Sequence, residues 1–576
     1  MKPIKTLLSL LVVLTFLLTA CGAPASPTAA PAGETPQPSV METPIPTREA
    51  GAPVRGGTVI IGTPQEPQIL NTLLTGASIE DAVTSLFIEG LVSVNEKGEY
   101  VPVLAKDLPE VSEDGLVVTY HLLEGVKWAD GTEFTCEDVV FTYEGVMSDL
   151  STVSTAGYRD IDTIECPDPY TVVVTFSELY ASYLRMFSYI VPHTAGEIDQ
   201  METWDYNHKP FGTGPFVLEE WVAGDHITFV RNPNFREEGK PYLDSVIIKI
   251  LPSREAGVQL LKTGEIHALW DLTEADFPTL DAMAADGVTY AAVPNGDIEQ
   301  LVLNFGANDG SAPADPADNP HPILYDLRVR QAIQYAIDKQ KIVDTLLYGK
   351  VNVGTSVISY GMFRCDLPPS EYNPEKAKSL LDEAGWKVGA DGIREKDGVR
   401  MSLKIATTTG NMLREQTEQV LVEMLKQVGI ELVIENVPSD VLFAGWESDG
   451  MRDKGKFDIV MYTTGPYIFA PDSHLDSNYH KASIPTVENE GSGANFSRYI
   501  NEDVSAWIDE SFGTTDIEKR HEFYCKIAEQ INKDIPRIFL YDRLSITAHR
   551  VEFHNLTISP SFVDFAWNSQ NWWLEP

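Results

Sequence analysis

The chain has 576 residues, enough for several buried cores, and at 43% hydrophobic and 10% aromatic its composition is that of a folded protein. With 85 acidic against 43 basic side chains the formal net charge is -42, which argues against nucleic acid, because such binding draws on Lys and Arg neutralising phosphates. It argues equally against electrostatic adhesion to anionic lipid, so any attachment to a membrane needs another cause.

In chain order, Lys2 and Lys5 precede a mostly apolar run, Leu7 to Leu18, too short to span a bilayer and suited to a secretory signal. The run ends in Leu18-Thr19-Ala20-Cys21, which resembles the lipobox of bacterial lipoproteins. Residues 1–20 are therefore expected to be removed, and Cys21 to carry a lipid that anchors the chain on the outer side of the cell membrane. Residues 21–56, rich in Pro, Ala and Thr, read as a linker with too little apolar surface to order itself. Cys136, Cys166, Cys365 and Cys525 would then meet an oxidising space, and sequence leaves all three pairings open. No Cys-x-x-Cys or His-x-x-x-His spacing appears, so neither a metal site nor a cofactor is expected.

The body begins at Gly57 and alternates strand-like with helix-like segments. Thr58–Gly62, Val117–Leu123, Tyr170–Phe176, Ile227–Arg231 and Ser245–Leu251 are β-rich runs bounded by turn residues. Arg328 to Leu347 carries apolar residues at helical spacing, with Asp338 placed to cap a second helix, and Asn373-Pro374-Glu375 starts another that Gly385 closes. Between 402 and 462 the order is strand (Ser402–Ala406), helix (Arg414–Gln427), strand (Glu431–Val437), short helix (Asp440–Trp446) and strand (Phe457–Tyr462). That alternation predicts an α/β fold with a parallel sheet, and a ligand crevice at the carboxyl ends of the strands, at Thr407–Asn411 and Thr463–Tyr467.

Catalytic motifs do not hold up. Gly450 to Lys456 fits the start of a phosphate-binding loop, but Phe457 stands where Ser or Thr must meet magnesium, and the run precedes a strand where it should follow one. No Gly-x-Ser-x-Gly elbow is present. The chain therefore reads as a non-enzyme; a surface-anchored glycoside hydrolase using a carboxylate pair is the alternative from a different class.

Several segments carry a resemblance. Gly56–Gly62 is similar to the opening strand of the extracytoplasmic solute-binding proteins of bacterial ABC importers, in the large family that takes up peptides and nickel. Val118–Val140, with its Gly-Val-Lys-Trp turn and a helix capped near Thr135, resembles that family's most recognisable block. Phe211–Phe216 through Arg231-Asn232-Pro233, then Leu260–Ala268, Asp326–Lys339 and Tyr372–Trp386, follow in family order. The resemblance implies a two-lobed periplasmic-binding-protein-like fold with an accessory domain. One lobe would combine 57–92, 210–300 and 536–576, the accessory domain would be 93–209, and the second lobe 301–535. It implies a monomer that closes on a small-molecule solute and delivers it to permease subunits driven by a cytoplasmic ATPase.

Two family anchors for short peptides are replaced here. The aspartate that pairs with a peptide amino terminus falls on Tyr467, and the arginine that meets a carboxyl terminus falls near Thr408. Oligopeptide gripped through its main chain is the expected solute, with a neutral oligosaccharide next and nickel or haem third. The candidate ligand residues are Tyr467, Thr464, Gly465, Thr408, Asn411, Trp446, Tyr462, Trp270 and Asn304.

Overall fold

The computed structural model describes residues 52–75, 78–466, 470–560 and 565–576. Cys21 with the signal, nearly all of the linker and Tyr467 lie outside these residues.

One ten-stranded sheet organises the body, in the order Glu431–Ile434, Ser402–Ala406, Ile459–Thr464, Val288–Leu303, Arg537–Arg550, Ala268–Leu272, Thr58–Thr63, Ser245–Ile250, His226–Arg231 and Phe216–Val222. Ser402–Ala406 pairs in parallel with both Glu431–Ile434 and Ile459–Thr464, as the strand–helix alternation predicts. The helix between the first two strands, Met412–Lys426, begins at an Asn411 cap that accepts from Arg414 N and buries Leu421, Met424 and Leu425 against the sheet. Parallel pairing recurs at Thr58–Thr63, which pairs in this way with both Ser245–Ile250 and Ala268–Leu272. The long strands Val288–Leu303 and Arg537–Arg550, of 16 and 14 residues, run antiparallel to each other and serve both halves of the sheet.

Their pairing is interrupted twice, between Pro294 and Ile298 and again between Glu299 and Gln300. Pro294 pairs with Leu544 and Ile298 with Asp542, so Asn295, Gly296 and Asp297 stand opposite Arg543 alone. Gly296 takes a left-handed φ of 87° at this crossing. Gly465 packs so tightly on it that a Cβ there would lie 1.9 Å from the Gly296 carbonyl oxygen.

Two apolar cores flank the crossing. One gathers Val329, Ile333, Leu381, Leu403, Leu421, Ile527 and Ile538 with the inner residues of both long strands. The other joins Val59, Ile61, Phe229 and Ile248 to Val118, Trp128, Val139, Val172 and Phe187. Of the latter, Val118 and Val172 lie on a second sheet of four strands, ordered Glu110–Val111, Val117–His121, Thr171–Phe176 and Ile161–Asp168. Its helix, Cys136–Val146, opens with a reciprocal capping box between Thr135 and Asp138. Of the three possible cysteine pairings the structure holds one: Cys136 with Cys166, and Cys365 with Cys525.

Asp338 caps the helix Lys339–Leu346 by accepting from Lys341 N, and Asn373 caps Pro374–Glu383. Some boundaries shift, and the strand expected over Glu431–Val437 ends at Ile434. The strand expected over Phe457–Tyr462 spans Ile459–Thr464, because Phe457 turns into a small core with Leu442 and Phe496. The short helix expected over Asp440–Trp446 breaks into Ser439–Leu442 and a separate turn, Trp446–Ser448. Among the described residues no helix is long and apolar enough to cross a membrane.

Candidate functional site

A cavity of about 550 Å³ lies between two parts of the chain far apart in sequence. Tyr158, Tyr180, Arg185 and Met186 form one wall, and Ser473, His474, Ser477 and Phe512 the other. Tyr158 is fixed by accepting the Phe187 backbone N–H at 2.7 Å, and burial pushes its hydroxyl pKa well above the ordinary tyrosine value. The opposite wall is the helix Asp472–Tyr479, which turns His474 and Ser477 toward the space.

His474 is the most telling group there. Its Nε2 is buried and, among the described residues, has no hydrogen-bond partner. Burial, with the nearby Arg537 guanidinium adding to it, lowers the imidazole pKa to about 3, so the ring is neutral at physiological pH. A neutral histidine in a cavity wall can offer a hydrogen bond or a metal-coordinating nitrogen once a solute or a side-chain shift exposes it.

The two walls touch beside the cavity. Arg520 Nη1 donates to Ala181 O at 2.6 Å, Ser182 Oγ donates to Asp472 Oδ2 at 3.1 Å, and Arg520 also pairs with Asp472. Tyr524 donates to the other Asp472 oxygen, which leaves both ends of the carboxylate satisfied.

A second charged group occupies the crossing of the long strands. Arg543 donates to Glu274 at 2.9 and 3.0 Å and to Glu299 at 3.4 Å, while Arg414 Nε donates to Glu299 Oε1 at 2.9 Å. Thr463 Oγ1 donates to Glu299 at 2.7 Å and accepts from both arginines. Burial raises the carboxyl pKa of Asp297 in the same place, opposed by Arg543.

The candidates read from sequence are distributed unevenly over this geometry. Thr408 and the strand end at Thr463 do come together, through Arg414, whose Nη1 donates to Thr408 Oγ1 at 3.2 Å and Nη2 to Thr463 Oγ1 at 3.0 Å. An arginine therefore does stand at Thr408, supplied from the next helix, but its charge is already met by Glu299. Thr464 accepts through its carbonyl from Gln300, Gly465 seals the crossing, and Asn411 serves as a helix cap.

Tyr462 and Asn304 belong to the interior. Tyr462 packs with Val302, Val460 and Phe496. The Asn304 amide donates to Gly455 O and Phe457 O and its oxygen accepts from Gly306 N, so the whole side chain is engaged inside the fold. Trp446 is covered by Lys454, whose Nζ lies 3.0 Å from the ring centroid. Trp270 lines a smaller cavity of about 300 Å³.

His474, Arg185, Arg520 and Arg543 were not legible as site residues. Each sits in an ordinary helix or strand pattern, and only the meeting of distant segments gives it a role. Among the described residues the donor atoms of Cys365, His521 and Cys525 lie within 4.8 Å of one another, but the disulfide leaves no thiolate there for a metal.

A profile described as bacterial extracellular solute-binding proteins, family 5 Middle, matches residues 99–485. The oligopeptide-binding protein AppA of Bacillus subtilis is 28% identical over 596 residues, spanning 100% of both chains. Among solved structures, AppA from B. subtilis in complex with a nonapeptide matches with a TM-score of 0.64 at 26% identity, over 91% of this chain and 100% of that one. NikZ from Campylobacter jejuni in complex with Ni(L-His) matches with a TM-score of 0.68 at 25% identity, over 89% and 99%.

Proposed function

Because the chain belongs to the bacterial extracellular solute-binding proteins of family 5, we propose that it is the lipid-anchored binding component of an ABC importer, which takes an oligopeptide into a cleft between two lobes and passes it on unaltered. In this reading the lobes are 57–92 with 210–300 and 536–576 on one side and 301–535 on the other. Residues 93–209 form the accessory domain, and the strands crossing at Arg543 form the hinge. The protein acts as a monomer, delivering to permease subunits driven by a cytoplasmic ATPase.

The observation that carries the proposal is the 550 Å³ cavity lined by Thr75 and Asp81 of the first lobe, by 153–189 of the accessory domain and by 470–512 of the second lobe. A solute seated there touches both walls at once, and a ligand shifts an opening equilibrium only through its different affinity for the two states. Micromolar binding corresponds to about 8 kcal/mol, part of which offsets closure and the solute's lost freedom. Peptide is preferred because AppA is named for oligopeptides and its solved complex holds a nonapeptide. Main-chain hydrogen bonds grip an extended peptide whatever its side chains.

A chelated metal is the second reading, favoured by His474, whose unpartnered Nε2 stays neutral and so free to coordinate down to acid pH. The oligosaccharide alternative hangs on Tyr467, which lies outside the described residues.

Thermal melting with a random nonapeptide mixture, with nickel plus histidine, and with neutral oligosaccharides separates these readings, since a binder of the native state raises the melting temperature. The proposal expects the peptides to raise it most; a rise with nickel–histidine alone would transfer the site to the second reading. The tether is tested by Cys21→Ser, which is expected to move the protein out of the membrane fraction without changing its melting temperature. Retention in membranes after an alkaline wash would refute the lipid anchor.

A further inference from the structure

The helix Ser78–Thr84 contributes to both cavities. Asp81 lines the larger one, while Ile79 and Ala82 line the smaller, which also takes in Asn295 at the strand crossing and Leu544 to Thr547 of the second long strand. The two spaces differ in charge. Asp81, Arg185 and His474 line the first, whereas none of the described residues lining the second is ionisable.

Within the smaller cavity Trp270 is 4% exposed and packs edge-on against Phe565, with ring centroids 4.6 Å apart. Its indole N–H is buried and unpartnered among the described residues. Buried donors are nearly always satisfied, and an orphan one costs stability until an acceptor arrives. The space beside it, about 300 Å³, exceeds what a single water fills. Apolar surface from Ile546 and Phe565 lies next to the hydroxyl of Thr547 and the amide of Asn295.

We propose that this cavity is a separate subsite for an uncharged, partly apolar group of the solute, whose amide carbonyl accepts the Trp270 indole N–H. A charged group would be excluded, because with no opposite charge in the walls its desolvation far outweighs one hydrogen bond. The inference rests on the solute-binding reading and adds a selection rule to it. The solute presents a neutral, carbonyl-bearing apolar portion on one side of the Ser78–Thr84 helix and its polar or charged portion on the other. Since Asn295 and Leu544–Thr547 belong to the two long strands, filling the subsite presses on the crossing itself.

The test uses the full chain labelled with 5-fluorotryptophan and followed by fluorine NMR, with Trp270→Phe identifying the Trp270 resonance. Three probes share one side chain: N-acetyl-leucinamide (neutral), leucinamide (cationic) and leucine (zwitterionic). The neutral probe is expected to shift the Trp270 signal saturably, and both charged probes to leave it in place. Trp270→Phe, which keeps an aromatic ring and removes the donor together with its resonance, is expected to weaken the neutral probe about tenfold, the order of one lost hydrogen bond, as read from the probe's effect on the melting temperature. Ile79→Phe, a change at a half-buried position that fills the cavity and spares the indole, is expected to abolish the shift, and it stands in if Trp270→Phe does not fold. No shift at millimolar probe, an equal response to all three probes, or a shift that survives Ile79→Phe would overturn the subsite. Nonapeptides that still raise the melting temperature in that case would leave the solute-binding reading standing.

Discussion

Arg543 and Arg520 both reach buried carboxylates, yet they join different things. Arg543 sits between Glu274 and Glu299, with Arg414 closing the set to two cations and two anions, and its partners come from both halves of the sheet. Arg520 has its carboxylate, Asp472, on its own side of the cavity and meets the other wall only through the Ala181 carbonyl and the Ser182 hydroxyl. Breaking a buried ion pair strands a charge, whereas parting a neutral hydrogen bond lets water replace it. The crossing is thus held by contacts that are expensive to separate. At Ala181 and Ser182 the cavity walls meet through contacts that are cheap to separate, with the Arg520–Asp472 ion pair kept whole on a single side. A pivot and a mouth require that division.

The comparison breaks most readily at Arg543. Arg543→Met leaves Glu274 without its cation, and unfolding in urea should show a loss of about 3–5 kcal/mol; a loss below about 1 kcal/mol would mean the crossing does not depend on its ions. Second in size is a pH effect at the mouth. The His474 pKa falls from 6.5 to about 3 on folding, so between those values the unfolded chain binds more protons than the native one. Stability is therefore fully present above pH 6.5 and declines as the pH drops toward about 3, by at most about 1.4 kcal/mol per pH unit. His474→Gln should flatten that part of the melting-temperature profile; an unchanged slope would place the titration elsewhere.

Asn411→Ala is smaller. It removes the cap of Met412–Lys426 and should cost about 1 kcal/mol while leaving peptide affinity untouched; a fall in affinity at constant stability would restore Asn411 as a ligand residue. Ser182→Ala is smallest in stability, within about 1 kcal/mol, because water can take over the hydroxyl's partners. Its signature is faster amide exchange along the cavity wall, and unchanged exchange would show that the contact does not hold the mouth.

Much of the architecture was legible because local chemistry dictates it. The Asn373-Pro374 start, the Asp338 cap and the cap at Thr135 each follow from residues a few positions apart, and the parallel arrangement around Ser402–Ala406 follows from the strand–helix alternation over 402–462. The site was less legible, since its groups come from segments hundreds of positions apart. Thr408 illustrates the limit. The sequence carries no arginine at that place, and only the turn capped by Asn411 folds Arg414 back onto it. Tyr462 and Asn304 illustrate it too, for their packing and hydrogen bonds inside the fold depend on segments the sequence does not bring together. Trp270 was singled out as one aromatic among ten tryptophans, and what distinguishes it, an unpartnered indole in an uncharged cavity, appears only in three dimensions.

Small-angle scattering of the intact body, alone and with a saturating nonapeptide mixture, tests the central claim most directly. A solute gripped between two walls predicts a smaller radius of gyration with peptide, and a weaker change in Ser182→Ala. An envelope that stays the same at peptide concentrations already raising the melting temperature would mean that binding proceeds without closure, and would contradict the account.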